Sequence, residues 1–123
     1  MSDDAKATTV IPNGVVFVYD PTAIIEVPSD TGAGPVLSTK DCVSIWTLHE
    51  VDGVVELSFA DQISEPGLSL IFEGLLETPG SKLAFNTSAC EPIIEVSVAA
   101  VHTALSIYAN DSRDPSRVVC IVG

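Results

Sequence analysis

Short apolar runs separated by turn-forming residues dominate the pattern of hydrophobic and polar positions along this chain. The runs are rich in β-branched and aromatic residues, and apolar and polar positions alternate within several of them, which is typical of strands with one buried face. The predicted strands are residues 15–19, 23–27, 42–51, 54–60, 68–75, 82–85, 93–98, 103–109 and 117–122. Regularly spaced short strands of this kind predict an all-β fold, a single-domain antiparallel β-sandwich of about eight strands.

Two stretches fall outside this strand pattern. Residues 1–9 are mostly polar and predict an N-terminal arm, which leaves residues 10–123 as the sandwich domain. Residues 28–39 (PSDTGAGPVLST) are rich in Gly, Pro, Ser and Thr and predict a loop. Residues 96–105 also carry a helical spacing, but their β-branched flanks favour strands.

The clearest local signal is the Asp52-Gly53 pair between two apolar runs. Asp-Gly suits the two positive φ angles of a type I′ turn and predicts a β-hairpin. Counting outward from that turn pairs Trp46 with Phe59 and Leu48 with Leu57 on one face, and His49 with Glu56 on the other. The first of these faces is apolar, so we expect Trp46, Leu48, Leu57 and Phe59 to be buried.

The net charge of the chain limits which classes of molecule it can bind. The 123 residues include 17 Asp and Glu against 5 Lys and Arg, a formal net charge of -12. Binding to nucleic acid or to an anionic membrane normally requires basic residues that neutralise phosphates, so neither is a predicted partner. A basic protein is the predicted partner. The mean hydropathy of +0.41 is high for so charged a chain, which leaves open a homo-oligomer that covers apolar surface.

Compartment is predicted from the chain start and the cysteines. The sequence begins Met1-Ser2-Asp3-Asp4, without the basic and apolar regions of a secretory signal, and no apolar run approaches the roughly 18 residues of a membrane span. We therefore expect a cytoplasmic protein. Cys42, Cys90 and Cys120 are odd in number and widely spaced, and each lies in an apolar stretch, which predicts reduced and mostly buried thiols.

Motifs of catalysis and cofactor binding are missing from the sequence. It contains no Gly-x-Ser-x-Gly, and Gly32-Ala33-Gly34 is followed by Pro35 rather than by a helix that could cradle a phosphate. The cysteines lack the paired spacing of a zinc site, and residues 111–114 (DSRD) offer calcium only two carboxylates with an arginine between them. We predict no metal, no cofactor and no enzymatic activity, with a carboxylate-only enzyme as an alternative.

Several carboxylates are candidates for contact with a basic protein. Three of them, Glu56, Glu73 and Glu95, fall on the polar faces of predicted strands, and four others, Asp61, Glu65, Asp111 and Asp114, fall in predicted loops. If they form a docking surface, we expect them to cluster on one side of the molecule.

Two segments of the chain resemble a known family. They are Phe17-Val18-Tyr19-Asp20-Pro21, and the run from Val43 to His49 that leads into Asp52-Gly53 and Val54-Val55-Glu56-Leu57. Together they are similar to the small β-sandwich family of competence protein J, a nuclease inhibitor, and to its relatives among bacterial immunity-type proteins. The resemblance covers about a third of the chain, and the sequence departs from the family in lacking aromatic residues between Asp20 and Asp41. It implies a cytoplasmic acidic protein that blocks a nuclease.

The leading hypothesis is a non-enzymatic acidic binding module that docks on a basic protein and inhibits a nuclease or toxin. A self-associating structural β-protein with no inhibitory role and the carboxylate-only enzyme are the two alternatives.

Overall fold

Ten strands in two sheets make up the fold in this computed structural model, which describes residues 5–25, 36–63, 66–111 and 113–122. The first sheet has the order β1 (Ala5–Thr9), β5 (Val55–Ala60), β10 (Arg117–Val122), β9 (His102–Ala109) and β6 (Ser69–Glu77). The second has the order β3 (Val36–Ser38), β4 (Cys42–Trp46), β2 (Val15–Tyr19), β7 (Lys82–Asn86) and β8 (Pro92–Ser97). The predicted all-β sandwich is confirmed, with ten strands in place of about eight.

Strand pairing is antiparallel with one exception. In the first sheet β10 runs parallel to β5, with Val118 opposite Leu57 and Cys120 opposite Phe59. Parallel neighbours cannot be joined by a tight hairpin, so a long excursion must separate them in sequence. Here that excursion, from β6 to β9, supplies β6 and β9 to the first sheet and β7 and β8 to the second.

The core lies between the inner faces of the two sheets. Its centre is an aromatic pair, Phe59 from β5 and Phe85 from β7, whose ring centroids are 4.8 Å apart. Alternate residues of every central strand contribute to it, as the two-residue period of a strand requires. The largest fully buried apolar side chains around the pair include Ile11, Val16, Val18, Val43, Ile45, Leu57, Leu76, Leu83 and Ile107.

The predicted hairpin at Asp52-Gly53 is wrong. β4 pairs with β2 and β3 in the second sheet, whereas β5 pairs with β1 and β10 in the first, so residues 47–54 cross between the sheets. The Thr47 N–H donates to the Gly14 carbonyl (2.7 Å) and the Leu48 N–H to the Pro115 carbonyl (3.0 Å), so neither is available to a hairpin partner.

Burial of the apolar face predicted from that hairpin is confirmed for some of its four residues and not for others. Leu57 and Phe59 are buried in the core and Leu48 packs against it. Trp46 is half-buried, because it lies on the opposite side of β4 from Val43 and Ile45. The predicted pair of His49 and Glu56 does not form, since His49 lies in the crossing segment.

Two segments predicted to lack strands contain them. Residues 5–9 of the predicted polar arm form β1, whose register on β5 places Ala7 opposite Leu57. The predicted loop at 28–39 contains β3, which adds three residues to the edge of β4, while residues 28–35, including Gly32-Ala33-Gly34, lie outside the described residues. Both are edge strands that are held by pairing with a neighbouring strand. The polar or Gly-rich composition of these two segments does not predict that pairing.

Most of the predicted strand positions are confirmed. Seven of the nine predicted strands correspond to observed strands within a few residues. Of the other two, the strand predicted at 42–51 ends at Trp46, and the described part of 23–27 (residues 23–25) is not a strand. The helical alternative at 96–105 is wrong, because β8 and β9 occupy it.

A buried carboxylate fixes the end of β2 to the turn between β6 and β7, which leads from the first sheet into the second. Asp20 is fully buried, and its Oδ1 accepts hydrogen bonds from the Thr22 N–H (2.8 Å) and hydroxyl (2.7 Å) while its Oδ2 accepts one from the Gly80 N–H (2.6 Å). Gly80 approaches Asp20 and Thr22 so closely that a Cβ would have no room. Burial acts to raise the pKa of Asp20, but the hydrogen bonds together outweigh it, and the pKa lies below its ordinary value.

Candidate functional site

The outer face of the first sheet carries two of the predicted carboxylates, Glu56 and Glu73, but not side by side. Glu56 is on β5 and Glu73 on the edge strand β6, with β10 and β9 between them. Neighbouring strands lie about 4.8 Å apart, so three strand spacings separate the two residues by roughly 14 Å across the sheet. The register offsets them by a further four residues, about 13 Å, along the strands.

Glu56 is held in an ion-pair network within the chain. Its carboxylate lies 3.0 Å from Lys6 Nζ of β1 and 2.9 Å from Arg117 Nε of β10, and Arg117 also donates to the Ser58 hydroxyl at 2.8 Å. Three neighbouring strands are thereby linked across the outer face. The charge of Glu56 is balanced by its own chain, which gives this residue a structural role.

Glu95 lies on the other side of the molecule. It projects from β8 on the second sheet and is 3.8 Å from Lys82 of β7. Glu95 therefore does not share a surface with Glu56 and Glu73, because their strands belong to two sheets whose outer faces point in opposite directions.

Asp111 and Asp114 do lie together, in the short connection between β9 and β10. Asp111 Oδ1 accepts hydrogen bonds from the Arg113 N–H (2.8 Å) and the Asp114 N–H (3.2 Å), and these lower its pKa below the ordinary value. Asn110 closes the base of the connection, since its Oδ1 accepts from the N–H groups of Ser116 and Arg117, each at 3.1 Å. These bonds hold the Asp111 carboxylate against the backbone at Arg113 and Asp114.

The segment that crosses between the sheets lies directly against this loop. The Leu48 N–H donates to the Pro115 carbonyl (3.0 Å), and the Glu56 N–H donates to the Ser116 carbonyl (2.8 Å). Between those two attachments the crossing segment exposes Glu50 and Asp52 at a turn closed by the Asp52 N–H and the His49 carbonyl (2.8 Å). Four exposed carboxylates on two adjoining connections form what we call the acidic end: Glu50, Asp52, Asp111 and Asp114.

The acidic end has little cationic compensation. Arg113 is the one Lys or Arg within its two connections. Arg117 borders the loop, but its guanidinium is paired with Glu56, as is Lys6. The ion pairs that Lys40 and Lys82 form among the described residues lie at the opposite end. The field of four carboxylates against one guanidinium is therefore negative and open to solvent.

The other loop carboxylates do not join this group. Asp61 follows the last residue of β5, so the length of that strand, about 20 Å, separates it from the acidic end. Glu65 lies outside the described residues. Sequence reasoning missed Glu50 and Asp52, because the predicted hairpin placed their turn at the tip of one sheet rather than against the loop between β9 and β10.

The three cysteines are free thiols, and two of them are buried. Burial, with Asp41 nearby, raises the pKa of Cys42 to about 12, and burial also raises the pKa of Cys120. Cys90 is exposed, contrary to prediction, because it ends a turn in the loop between β7 and β8, where its N–H donates to the Thr87 carbonyl at 3.0 Å. Tyr19 has its pKa raised to about 12 by burial and by a hydrogen bond with Cys90.

Neither a metal centre nor a membrane-spanning helix is found in the part of the chain that the structure describes. No three His, Cys, Asp or Glu side chains of these residues converge in a way that could hold a metal ion. No helix among them has the length and apolar character needed to cross a bilayer.

Comparison with solved structures gives the fold a precedent. No protein-family model matches the sequence, and no curated protein matches it either. Two solved structures superpose over nearly the whole chain. The fold is similar to that of ComJ. ComJ from Bacillus subtilis, an inhibitor of the DNA-degrading activity of NucA, matches with a TM-score of 0.56 and 9% identity, covering 99% of this chain and 97% of its own.

The second match leads to the same fold. The product of crocagin biosynthetic gene J aligns with a TM-score of 0.56 and 9% identity, over 99% of this chain and 96% of that one. The resemblance to competence protein J that the sequence suggested over a third of the chain is confirmed, as a likeness of fold, over almost all of it.

Proposed function

We propose that this protein is a non-enzymatic inhibitor that docks on a basic cytoplasmic protein, of which a nuclease is the leading candidate. The observation that carries the proposal is the likeness of fold, across 99% of the chain, to an inhibitor of a DNA-degrading enzyme. The acidic end supports it independently, because it supplies the charge that such a partner would recognise.

The physical argument begins with what a nuclease must present. An enzyme that binds DNA needs basic groups facing the phosphates, which creates a positive groove on its surface. Carboxylates on a competing protein can occupy such a groove in place of phosphates. They do so at lower entropic cost when their loops are already ordered.

The loop between β9 and β10 meets that requirement. Asp111 and Asn110 together accept four backbone hydrogen bonds within it, so its described residues are held by the chain's own bonds before any partner arrives. Complementary charge would also accelerate the encounter with a cationic partner, and salt would weaken that acceleration.

The test begins with capture of partners from the source lysate on immobilised protein, at low and at high salt, with identification by mass spectrometry. We expect a nuclease to be retained at low salt. The purified nuclease should then lose its DNA-cleaving activity when an equimolar amount of this protein is added. If that nuclease cleaves DNA at an undiminished rate with the protein in excess, or if no nuclease is retained, the proposal is wrong.

A further inference from the structure

An open apolar groove of about 490 Å³ crosses the outer face of the first sheet, away from the acidic end. Its walls come from β6, β9 and β10, where Leu75 is opposite Ala104 and Glu73 is opposite Ser106. The small side chains of Ala104 and Ser106 leave a depression between Leu75 on one side and Ile121 on the other. Glu73 is the one charged residue that lines it.

Two exposed leucines lie on the strand that forms one wall of the groove. Leu75 is 61% exposed and Leu70, on the same strand, is 48% exposed. Both are large aliphatic side chains on β6, which is an edge strand and pairs only with β9 among the described residues. These two leucines flank Glu73 along the strand, so this edge of the sheet offers a partner apolar surface on both sides of the carboxylate.

The ion pairs of this face leave one carboxylate unmatched. Three glutamates project from the outer face of the first sheet, and Glu56 is paired with Lys6 and Arg117 while Glu77 lies 3.6 Å from Lys40. No Lys or Arg among the described residues pairs with Glu73. The groove therefore combines apolar walls with one uncompensated negative charge at its edge.

We infer that this groove receives a lysine or arginine side chain from a protein partner. Such a side chain has an apolar stem, which would lie against Leu75, Ala104 and Ile121, and a cationic head, which would reach the Glu73 carboxylate. The exposed Leu70 and Leu75 would meet apolar residues that flank the cation on the partner. This inference rests on the proposed function, since it names the short-range contact of the partner whose approach the acidic end would steer.

Two other occupants fit less well. A second copy of this chain carries the same net charge of -12, and ion pairs within the chain already engage Lys6, Lys40, Lys82 and Arg117. A small molecule would find only one carboxylate and one hydroxyl in a groove that is open to solvent, whereas ligand sites usually enclose most of the ligand.

The inference is tested without the nuclease, by titrating ¹⁵N-labelled protein with the acetylated and amidated tripeptide Leu-Arg-Leu and recording amide chemical shifts. We expect shifts at residues 73–75, 104–106 and 121, which weaken as salt is added. The peptides Leu-Gln-Leu, without the charge, and Gly-Arg-Gly, without the apolar flanks, should each shift these amides several-fold less. Shifts of equal size with Leu-Gln-Leu, shifts centred on residues 50–52 and 111–114, or no shifts at millimolar peptide would overturn the inference.

Variants separate the groove from general effects of charge. Glu73→Gln removes the charge at constant shape and Ala104→Leu fills the depression, and each should abolish the shifts. Glu95→Gln removes a carboxylate from the other sheet, and Thr8→Leu adds a leucine at an exposed position of β1; both should leave the shifts intact. If a nuclease is inhibited equally well by both groove variants, the groove is not the contact although the proposed function stands. If the peptide binds in the groove and no nuclease is inhibited, the proposed function fails and the groove remains.

Discussion

The ring of Phe59 on β5 packs against the ring of Phe85 on β7, with centroids 4.8 Å apart and planes tilted by 40°. The two residues belong to different sheets, so this contact joins the sheets at the centre of the core. An aromatic pair at this separation adds to the stabilisation that burial alone provides.

Truncation of either ring should destabilise the fold strongly. Phe85→Ala should lower the free energy of unfolding by about 3–5 kcal/mol, through lost burial and the cavity that remains. Chemical denaturation followed by fluorescence measures this. Phe17→Ala, a half-buried phenylalanine on the outer side of β2, is the matched control and should cost less. Equal losses at the two positions would contradict the assignment of the aromatic pair to the core centre.

Strand positions could be predicted from the sequence, whereas strand partners could not. The predicted strand at 15–19 is β2 and that at 117–122 is β10, residue for residue, because alternation and β-branched residues report burial on a pleated surface. The pairing of Trp46 with Phe59 failed, because the Asp-Gly signal is local while the choice between a hairpin and a crossing depends on Gly14 and Pro115, which are distant in sequence.

For the candidate site, too, the sequence predicts the positions of residues along the chain but not which distant residues lie beside them. Asp111 and Asp114 were identified as loop carboxylates, and their proximity follows from their spacing. That Glu50 and Asp52 lie beside them follows from the hydrogen bond between Leu48 and Pro115, which no pattern of charges along the chain encodes. Strand alternation predicted that Glu73 and Glu95 point outward, but it does not say which sheet a strand joins.

The buried Asp20 should make stability depend on pH. Its pKa in the folded protein lies below the ordinary value, so the unfolded state takes up the proton first. The stabilisation from its ionised form is therefore complete above the unfolded pKa of about 4 and is lost as the pH falls through the lower folded pKa. Asp20→Asn, whose amide nitrogen cannot accept a bond from Thr22 or Gly80, should cost about 1–3 kcal/mol at pH 7.

Urea denaturation over a range of pH measures this effect. The difference in unfolding free energy between wild type and Asp20→Asn should be constant above about pH 5 and shrink below about pH 4. Asp61→Asn removes the same charge from an exposed position and should show little difference at any pH. A gap between wild type and Asp20→Asn that persists unchanged at the lowest pH would refute the assignment.

The thiols should react in two classes. Only the thiolate attacks a disulfide reagent, so burial and a raised pKa make Cys42 and Cys120 unreactive, while the exposed Cys90 is accessible. With 5,5′-dithiobis(2-nitrobenzoic acid), we expect one fast equivalent in the native protein and two more only after unfolding. Cys90→Ser should remove the fast equivalent. Two fast equivalents in the wild type would show that Cys42 or Cys120 is not buried in solution.

The acidic end should govern how fast the partner associates. Asp52→Lys combined with Asp114→Lys reverses two of its exposed charges and spares Asp111, whose carboxylate fixes the loop. At low ionic strength this double variant should associate with the captured nuclease about 10-fold more slowly, because the steering field is lost, while its dissociation rate changes little. Surface plasmon resonance resolves the two rates. The deficit should diminish as salt rises, since the Debye length falls from about 10 Å at 0.1 M to about 3 Å at 1 M.

A matched pair of substitutions decides whether position or net charge matters. Asp61→Lys combined with Glu95→Lys changes the net charge by the same amount, at the opposite end and on the other sheet. If the acidic end faces the partner, this control should associate several-fold faster than the variant at Asp52 and Asp114, since carboxylates far from the contact contribute less to the field there. Equal slowing by the two double variants would mean that net charge alone sets the rate. Docking through Glu50, Asp52, Asp111 and Asp114 would then be wrong.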